Sequence, residues 1–217
     1  KREVGTYYRR MLLEIQRALE GIEDLVPGYA GEGYELAGLA WFQGWNDYCQ
    51  WRTRINDEPV GMSLIERYSK NLAGLFQDLR RELGAPDLPI VVGELGIGGL
   101  EMVERANNEG DHEARAIMAF RQAQRAVTQE LGVGDVTFVP TADFWDTRLQ
   151  ELEEIRGQWA NEKRKKEIPE TEDNLLPTKG LSDEYRSRGG HWYCHYNGSA
   201  PNYALVGWAL AEALLDD

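Results

Sequence analysis

From Thr6 to Val26, Tyr8, Met11, Leu12, Ile15, Leu19, Ile22 and Leu25 recur at spacings of three and four, with Arg9, Arg10, Glu14, Arg17 and Glu20 between them. That period predicts an amphipathic helix, with Thr6 as its N-cap and Pro27-Gly28 ending it. Gly31 to Gly33 then lead into an apolar run, Tyr34 to Phe42, read as a central strand. A second helix is expected over Ser63–Leu83, its face made by Leu64, Ile65, Tyr68, Leu72, Leu75, Phe76, Leu79 and Leu83, with Ser63 and Glu66 fitting a capping box. Gly84-Ala85-Pro86 stops it, and Leu88–Gly93 is the β-branched run of a strand buried on both faces. Glu113–Leu131 repeats the helical pattern with Ala116, Ile117, Phe120, Ala123, Val127 and Leu131 inward, and Val136–Val139 reads as a last short strand. A closing helix carries Tyr203, Leu205, Val206, Leu210, Ala213 and Leu214. Strand and helix alternate three times, which predicts right-handed crossovers and an α/β fold: a parallel sheet in a three-layer α/β/α sandwich.

With 217 residues, residues 1–217 form one expected domain. A hydrophobic fraction of 42%, seven Trp and ten Tyr belong to a globular chain, and suit a carbohydrate-handling surface as well as an aromatic core. The formal net charge of −13 argues against nucleic acid as a partner. No apolar run approaches the ~18 residues of a membrane span, and the N-terminus has no signal-peptide core. Residues 148–180 turn to mixed charges, Lys163-Arg164-Lys165-Lys166 against Glu151, Glu153, Glu154, Glu162 and Glu167, which reads as a solvated helix and mobile loop, an insertion or lid. The stretch from Tyr48 to Gly61 reads as an irregular loop at the rim of a site. Cys49 and Cys194 are taken as free thiols.

Candidate chemistry gathers at two places. The central strand ends in Gln43-Gly44-Trp45-Asn46-Asp47, where Gly44 allows a sharp turn and Gln43 and Asn46 carry NH2 donors suited to a developing oxyanion. Asp47 adds a carboxylate, and Trp41 and Trp45 supply apolar walls. Glu94 opens the glycine-rich loop Glu94–Gly99, whose spacing matches no phosphate-binding fingerprint. Two of the chain's three histidines, His191 and His195, lie just ahead of the closing helix, where a residue titrating near neutrality suits a general base. No metal or cofactor is called for.

Gly44-Trp45-Asn46-Asp47 resembles the G-x-N-D block of the SGNH hydrolases, and the longer Trp-Phe-Gln-Gly-Trp-Asn-Asp string resembles the sialate O-acetylesterase-like branch close to carbohydrate esterase family six. Cys194-His195-Tyr196-Asn197-Gly198-Ser199 is similar to that family's Tyr-His-Tyr-x-Gly-Ser segment, which places its catalytic histidine on His195, with His191 as the fallback. The resemblance implies an SGNH/flavodoxin-like sandwich, an acetylated carbohydrate as substrate, and a secreted or periplasmic setting. Gly44, Asn46, Asp47 and His195 then carry the catalytic roles, and Gln43, Trp45, Glu94, Trp192 and His191 border the substrate. Trp192 and Arg188 stand where the family's D-x-x-H pattern would put an aspartate, so Asp47 or Asp183 would orient the imidazole.

The family's nucleophile is a serine in a Gly-x-Ser block on the first strand. Here Ser63, Ser69, Ser182, Ser187 and Ser199 are the serines, and none follows a strand in a tight turn. The first strand is therefore expected to be absent from this chain, with the serine supplied by an N-terminal segment of the same protein. The alternatives are a non-catalytic carbohydrate-binding domain whose Trp41, Trp45, Trp51 and Trp192 stack on sugars, and a lyase or glycosidase using Asp47 and Glu94.

Overall fold

The computed structural model describes residues 5–52, 60–130, 133–190 and 192–215, with the side chains of 60–65 outside it. Its sheet holds β1 (Leu39–Trp41), β2 (Ile90–Gly93) and β3 (Val136–Val139), parallel and in the order β1-β2-β3. Leu39 pairs with Ile90, and Ile90 with Val136. Successive side chains of a strand point to opposite faces. Ile90 and Val92 accordingly pack with Leu72, Phe76 and Val127 on one face, while Val91 and Val139 pack with Val206 and Leu210 on the other. Helices therefore cover both faces, and the molecule is α/β.

The helices of the first half depart from the sequence pattern in instructive ways. In α1 (Thr6–Glu20) the N-cap is Gly5 with no side-chain bond, because Thr6 is already helical; a single turn, α2 (Ile22–Leu25), follows. No residue of either is buried. The strand expected over Tyr34–Phe42 is regular only at Leu39–Trp41.

The stretch after the turn is not a rim loop but begins as α3 (Trp45–Arg52), with Tyr48 fully buried and Trp51 nearly so. Asn46, Asp47 and Gln50 occupy its outer side, which is why its composition looked too polar for core. Residues 53–59 lie outside the description. The next helix, α4 (Val60–Glu82), starts before Ser63, so Ser63 lies inside the first turn rather than at a cap.

After β2 comes a buried glycine-rich loop and a short α5 (Glu101–Arg105). Then α6 (His112–Ala126), capped by Asp111 accepting from the Ala114 amide, buries Ala116, Ile117, Phe120 and Ala123 as expected and ends in a 3-10 turn, Val127–Gln129; Leu131 lies outside the description. The charged segment folds as α7 (Thr147–Lys165) and α8 (Lys179–Arg188), with a small core of Leu149, Leu152, Leu176 and Tyr185. Few fully buried apolar residues, scattered between Leu149 and Tyr185, leave no periodicity to read. The chain closes with α9 (Ala200–Leu215), which presents Val206 and Leu210 to the sheet. No helix among the described residues is long and apolar enough to cross a membrane.

Phe120 joins these layers. Its fully buried ring meets Tyr48, Trp51 and Tyr68 at centroid distances of 6.4, 5.5 and 4.7 Å. Phe120→Ala should cost about 3–5 kcal/mol of stability in urea unfolding. A loss below about 1 kcal/mol would mean that the surrounding rings collapse into the space.

Candidate active site

β1 ends at Trp41, and two residues later the backbone turns into α3. Gly44 is buried there because a Cβ would meet the Phe120 ring at 2.5 Å, so the turn can approach α6 only without a side chain. The carbonyl of Gly44 accepts from the Tyr48 amide at 2.9 Å, starting the helix. Gln43 donates through Nε2 to Asp47 Oδ2 at 2.7 Å, a four-residue step across the turn.

Two side chains of α6 fasten this turn to the end of β2. Gln124, fully buried, accepts from the Leu95 amide at 2.8 Å and donates to the carbonyls of Gln43 and Gly93 at 3.1 and 3.3 Å. Arg121 is only 4% exposed and donates to the carbonyls of Leu95, Ile97 and Gly99 at 2.9, 3.2 and 3.1 Å. Burial lowers the pKa of its guanidinium, opposed by the Glu94 carboxylate 3.9 Å away. The glycine-rich loop is thus a bound strap, consistent with its lack of a phosphate fingerprint.

Glu94 turns toward the third strand. Its Oε2 accepts from the Thr141 and Ala142 amides at 3.0 and 3.1 Å, and its own carbonyl accepts from Thr141 Oγ1 at 2.8 Å. Gly96 lies so close that a Cβ would stand 2.8 Å from the Thr141 carbonyl. The carboxylate therefore has a positioning task whatever else it does.

The third component is the segment before α9. Tyr193–Gly198 coils in 3-10 fashion, with Tyr196 and Asn197 both left-handed at φ 52° and 51°. Ser199 Oγ donates to Asp146 Oδ2 at 3.1 Å, and the Asn202 side chain donates through Nδ2 to the Phe144 carbonyl, pinning the segment behind β3. Tyr196 Oη accepts from the Gly96 amide at 3.2 Å, and its ring lies 5.6 Å from that of Phe42. Burial raises the Tyr196 pKa well above the phenol range, so it stays a neutral hydroxyl.

These parts enclose a cleft of about 270 Å³ lined by Gln43, Gly44, Trp45 and Glu94 with Phe42, Leu95, Cys194, Tyr196 and Tyr203. Four of the residues singled out from the sequence share this cleft. Asn46 is exposed on the first turn of α3, beside it. Asp47 lines a neighbouring pocket with Trp41, Trp51 and Tyr68, and Gln43 borders both. His195 is exposed next to Cys194, its imidazole stacked on Trp192 at 6.1 Å and 16° between planes. Trp192 is 72% exposed, and His191 lies outside the described residues. Asp183 is on α8 rather than in a loop, paired with Arg186 and with Lys179 at 3.7 Å. Cys49 and Cys194 are free; burial raises the Cys49 pKa, and Cys194 adds to that.

A family model described as carbohydrate esterase, sialic acid-specific acetylesterase, matches residues 1–143 of the 217. The chain belongs to that family. The match takes in the Gln43–Asp47 turn and Glu94, and ends ahead of His195. No curated protein and no solved structure matches the chain. Membership makes it an esterase-type hydrolase domain of SGNH type. The sequence reading reached this family through the turn. It missed Gln124, Arg121 and Asp146, whose roles depend on which backbone groups the fold brings to them. The one available signal was a Gln and an Arg on the inward side of an otherwise apolar helix face.

In this carbohydrate esterase domain, Gln124→Met keeps the length of the side chain but leaves the Leu95 amide and the Gly93 carbonyl without this partner, and the Gln43 carbonyl with only the Tyr68 hydroxyl at 3.5 Å. Stability should fall by about 3 kcal/mol, and hydrogen exchange at Leu95 should quicken by about two orders of magnitude. Unchanged exchange there would overturn the bridging role.

Proposed function

We propose that the chain forms the larger part of a serine carbohydrate esterase that removes O-acetyl groups from glycans. The observation that carries this is the Gly44–Asn46 turn at the carboxyl end of β1, inside the matched residues and at the cleft. Asn46 and a backbone amide of the turn hold the oxyanion of the tetrahedral intermediate, and the amino end of α3 adds its dipole. His195 takes the serine proton and returns it to the sugar oxygen. Gln43, Trp45, Glu94 and Trp192 border the acetylated sugar.

The serine comes from a segment N-terminal to Lys1. Supporting this, β1 pairs only with β2 among the described residues, leaving one edge of a parallel sheet open. A pocket of about 310 Å³ lies at the end of that strand, lined by Trp41, Trp51, Leu72 and Leu75 among others. The indole Nε1 of Trp51, which lines this pocket, is buried with no acceptor among the described residues. A parallel strand usually lies between others with both sets of backbone groups paired. An added strand would pair with β1 and cover those rings. Its carboxyl end would bring a serine beside Gly44.

Hydrolysis of an O-acetylated sialic acid should appear only when the chain is joined to its upstream segment. In that assembled enzyme, Asn46→Ala should lower kcat by about 10²-fold or more. His195→Ala should lower it by about 10²–10⁴-fold. Normal turnover by either variant would sink the site assignment. Full turnover by residues 1–217 alone, with intact mass showing a single polypeptide, would sink the separate-serine part. Glycan binding without turnover by the joined protein would favour a non-catalytic carbohydrate-binding domain.

A further inference from the structure

The chain's two cysteines sit on the two elements that carry Asn46 and His195. Cys49 belongs to α3, one turn beyond Trp45 and on the same side of that helix, because residues four apart stack along a helix. Cys194 is the second residue of the Tyr193–Gly198 coil, immediately before His195. The Tyr193 and Trp45 rings meet edge to face with centroids 6.0 Å apart. Trp45, Cys49 and Tyr193 all pack on one apolar cluster, and Trp45 and Cys194 line the same cleft. The coil therefore runs along the side of α3 that carries Cys49, and Cys194 is one residue from the point of contact.

Both thiols are half-buried and free in this structure. Burial is the main cause that raises the Cys49 pKa; Arg52 opposes it, and Cys194 adds to it. A charge on one sulfur is thus felt at the other, an influence that fades over about 10 Å. Trp192 and His195 are exposed, so Cys194 can turn toward α3 while Tyr196 and Ser199 stay anchored to Gly96 and Asp146.

We propose that Cys49 and Cys194 are a disulfide-forming pair, a reversible staple between α3 and the segment that carries His195. The bond needs Cα atoms about 4.4–6.8 Å apart, a separation that two elements in side-chain contact reach. A low-molecular-weight disulfide, oxidised glutathione, serves as the electron acceptor. The Cys194 thiolate, at the cleft, attacks one glutathione sulfur, and one glutathione thiolate leaves. Cys49, whose raised pKa makes it the slower thiol to ionise, then attacks the Cys194 sulfur of this mixed disulfide and expels the second glutathione thiolate. The two cysteines give up two protons and two electrons, and the glutathione disulfide takes both electrons as it becomes two thiols. The pairing is independent of the esterase reading. On that reading it joins the helix of Asn46 to the segment of His195, and reduction releases the histidine.

The test holds the full chain in mixtures of oxidised and reduced glutathione at about pH 8, then applies N-ethylmaleimide and measures intact mass under denaturing conditions. The expected product is a monomer about 2 Da lighter than the reduced chain that takes up no maleimide, with one peptide pair joining Cys49 to Cys194 after proteolysis. Hydrogen exchange over Tyr193–Gly198 should slow about tenfold on oxidation and recover with dithiothreitol. Cys49→Ser and Cys194→Ser should each leave one thiol that reacts with maleimide and should abolish the slowing. The unsubstituted chain decides the matter by mass and exchange even where a serine variant fails to fold. A glutathione adduct on each cysteine, disulfide-linked dimers, or a bridge that forms only in urea would overturn the proposal. Exchange at Tyr193–Gly198 that ignores oxidation would overturn it too.

Discussion

Everything at the cleft depends on how the ends of two parallel strands dispose of their backbone hydrogen-bonding groups. Where β1 and β2 stop, ladder pairing stops too: the carbonyl of Gly93 and the amide of Leu95 would be buried without partners, and the carbonyl of Gln43 would keep only the Tyr68 hydroxyl at 3.5 Å. One carboxamide, Gln124, satisfies all three. Arg121, three residues earlier on the same face of α6, satisfies the next three carbonyls of the loop. Buried backbone groups left unpaired cost about 1–3 kcal/mol each, so these two side chains decide whether the turn and the strap can coexist in the interior. Both come from a helix whose other inward residues are Ala, Ile and Phe, which explains how a polar pair is tolerated at the centre of a hydrophobic cluster.

The cleft is consequently a rigid seam between three separately anchored pieces. The turn after β1 is fixed by Gln124 and by the contact of Gly44 with Phe120. The loop after β2 is tied to the third strand through Glu94 and Thr141. The histidine segment is held from behind by Asp146 and Ser199. Tyr196 joins the second piece to the third through Gly96. Such pre-fixed dipoles suit stabilisation of charge that appears only in a transition state, because little reorganisation is then needed. The imidazole of His195, stacked on exposed Trp192, is by contrast exposed, and it is the neighbouring Cys194 that lines the cleft.

Much of the fold was legible from residue order. The 3.6-residue spacing of α4 and α6 and the β-branched run of β2 are burial patterns imposed by local geometry, and they place the helices and the parallel sheet directly. The Gly44–Asp47 turn was equally legible, because glycine, amide and carboxylate at fixed offsets after an apolar strand are a local chemical signature, and the family match rests on residues that include it. Sequence alone therefore determined the α/β class, the family and the turn that faces the cleft. It could not foresee that Tyr48 and Trp51 are core, since one buried face of an eight-residue helix gives too few repeats to separate from a polar loop. Nor could it assign Gln124, Arg121 and Glu94 their partners. Those are pairings between groups as many as 81 residues apart, as for Gln124 and Gln43, and only the packed chain decides which backbone atoms arrive within reach.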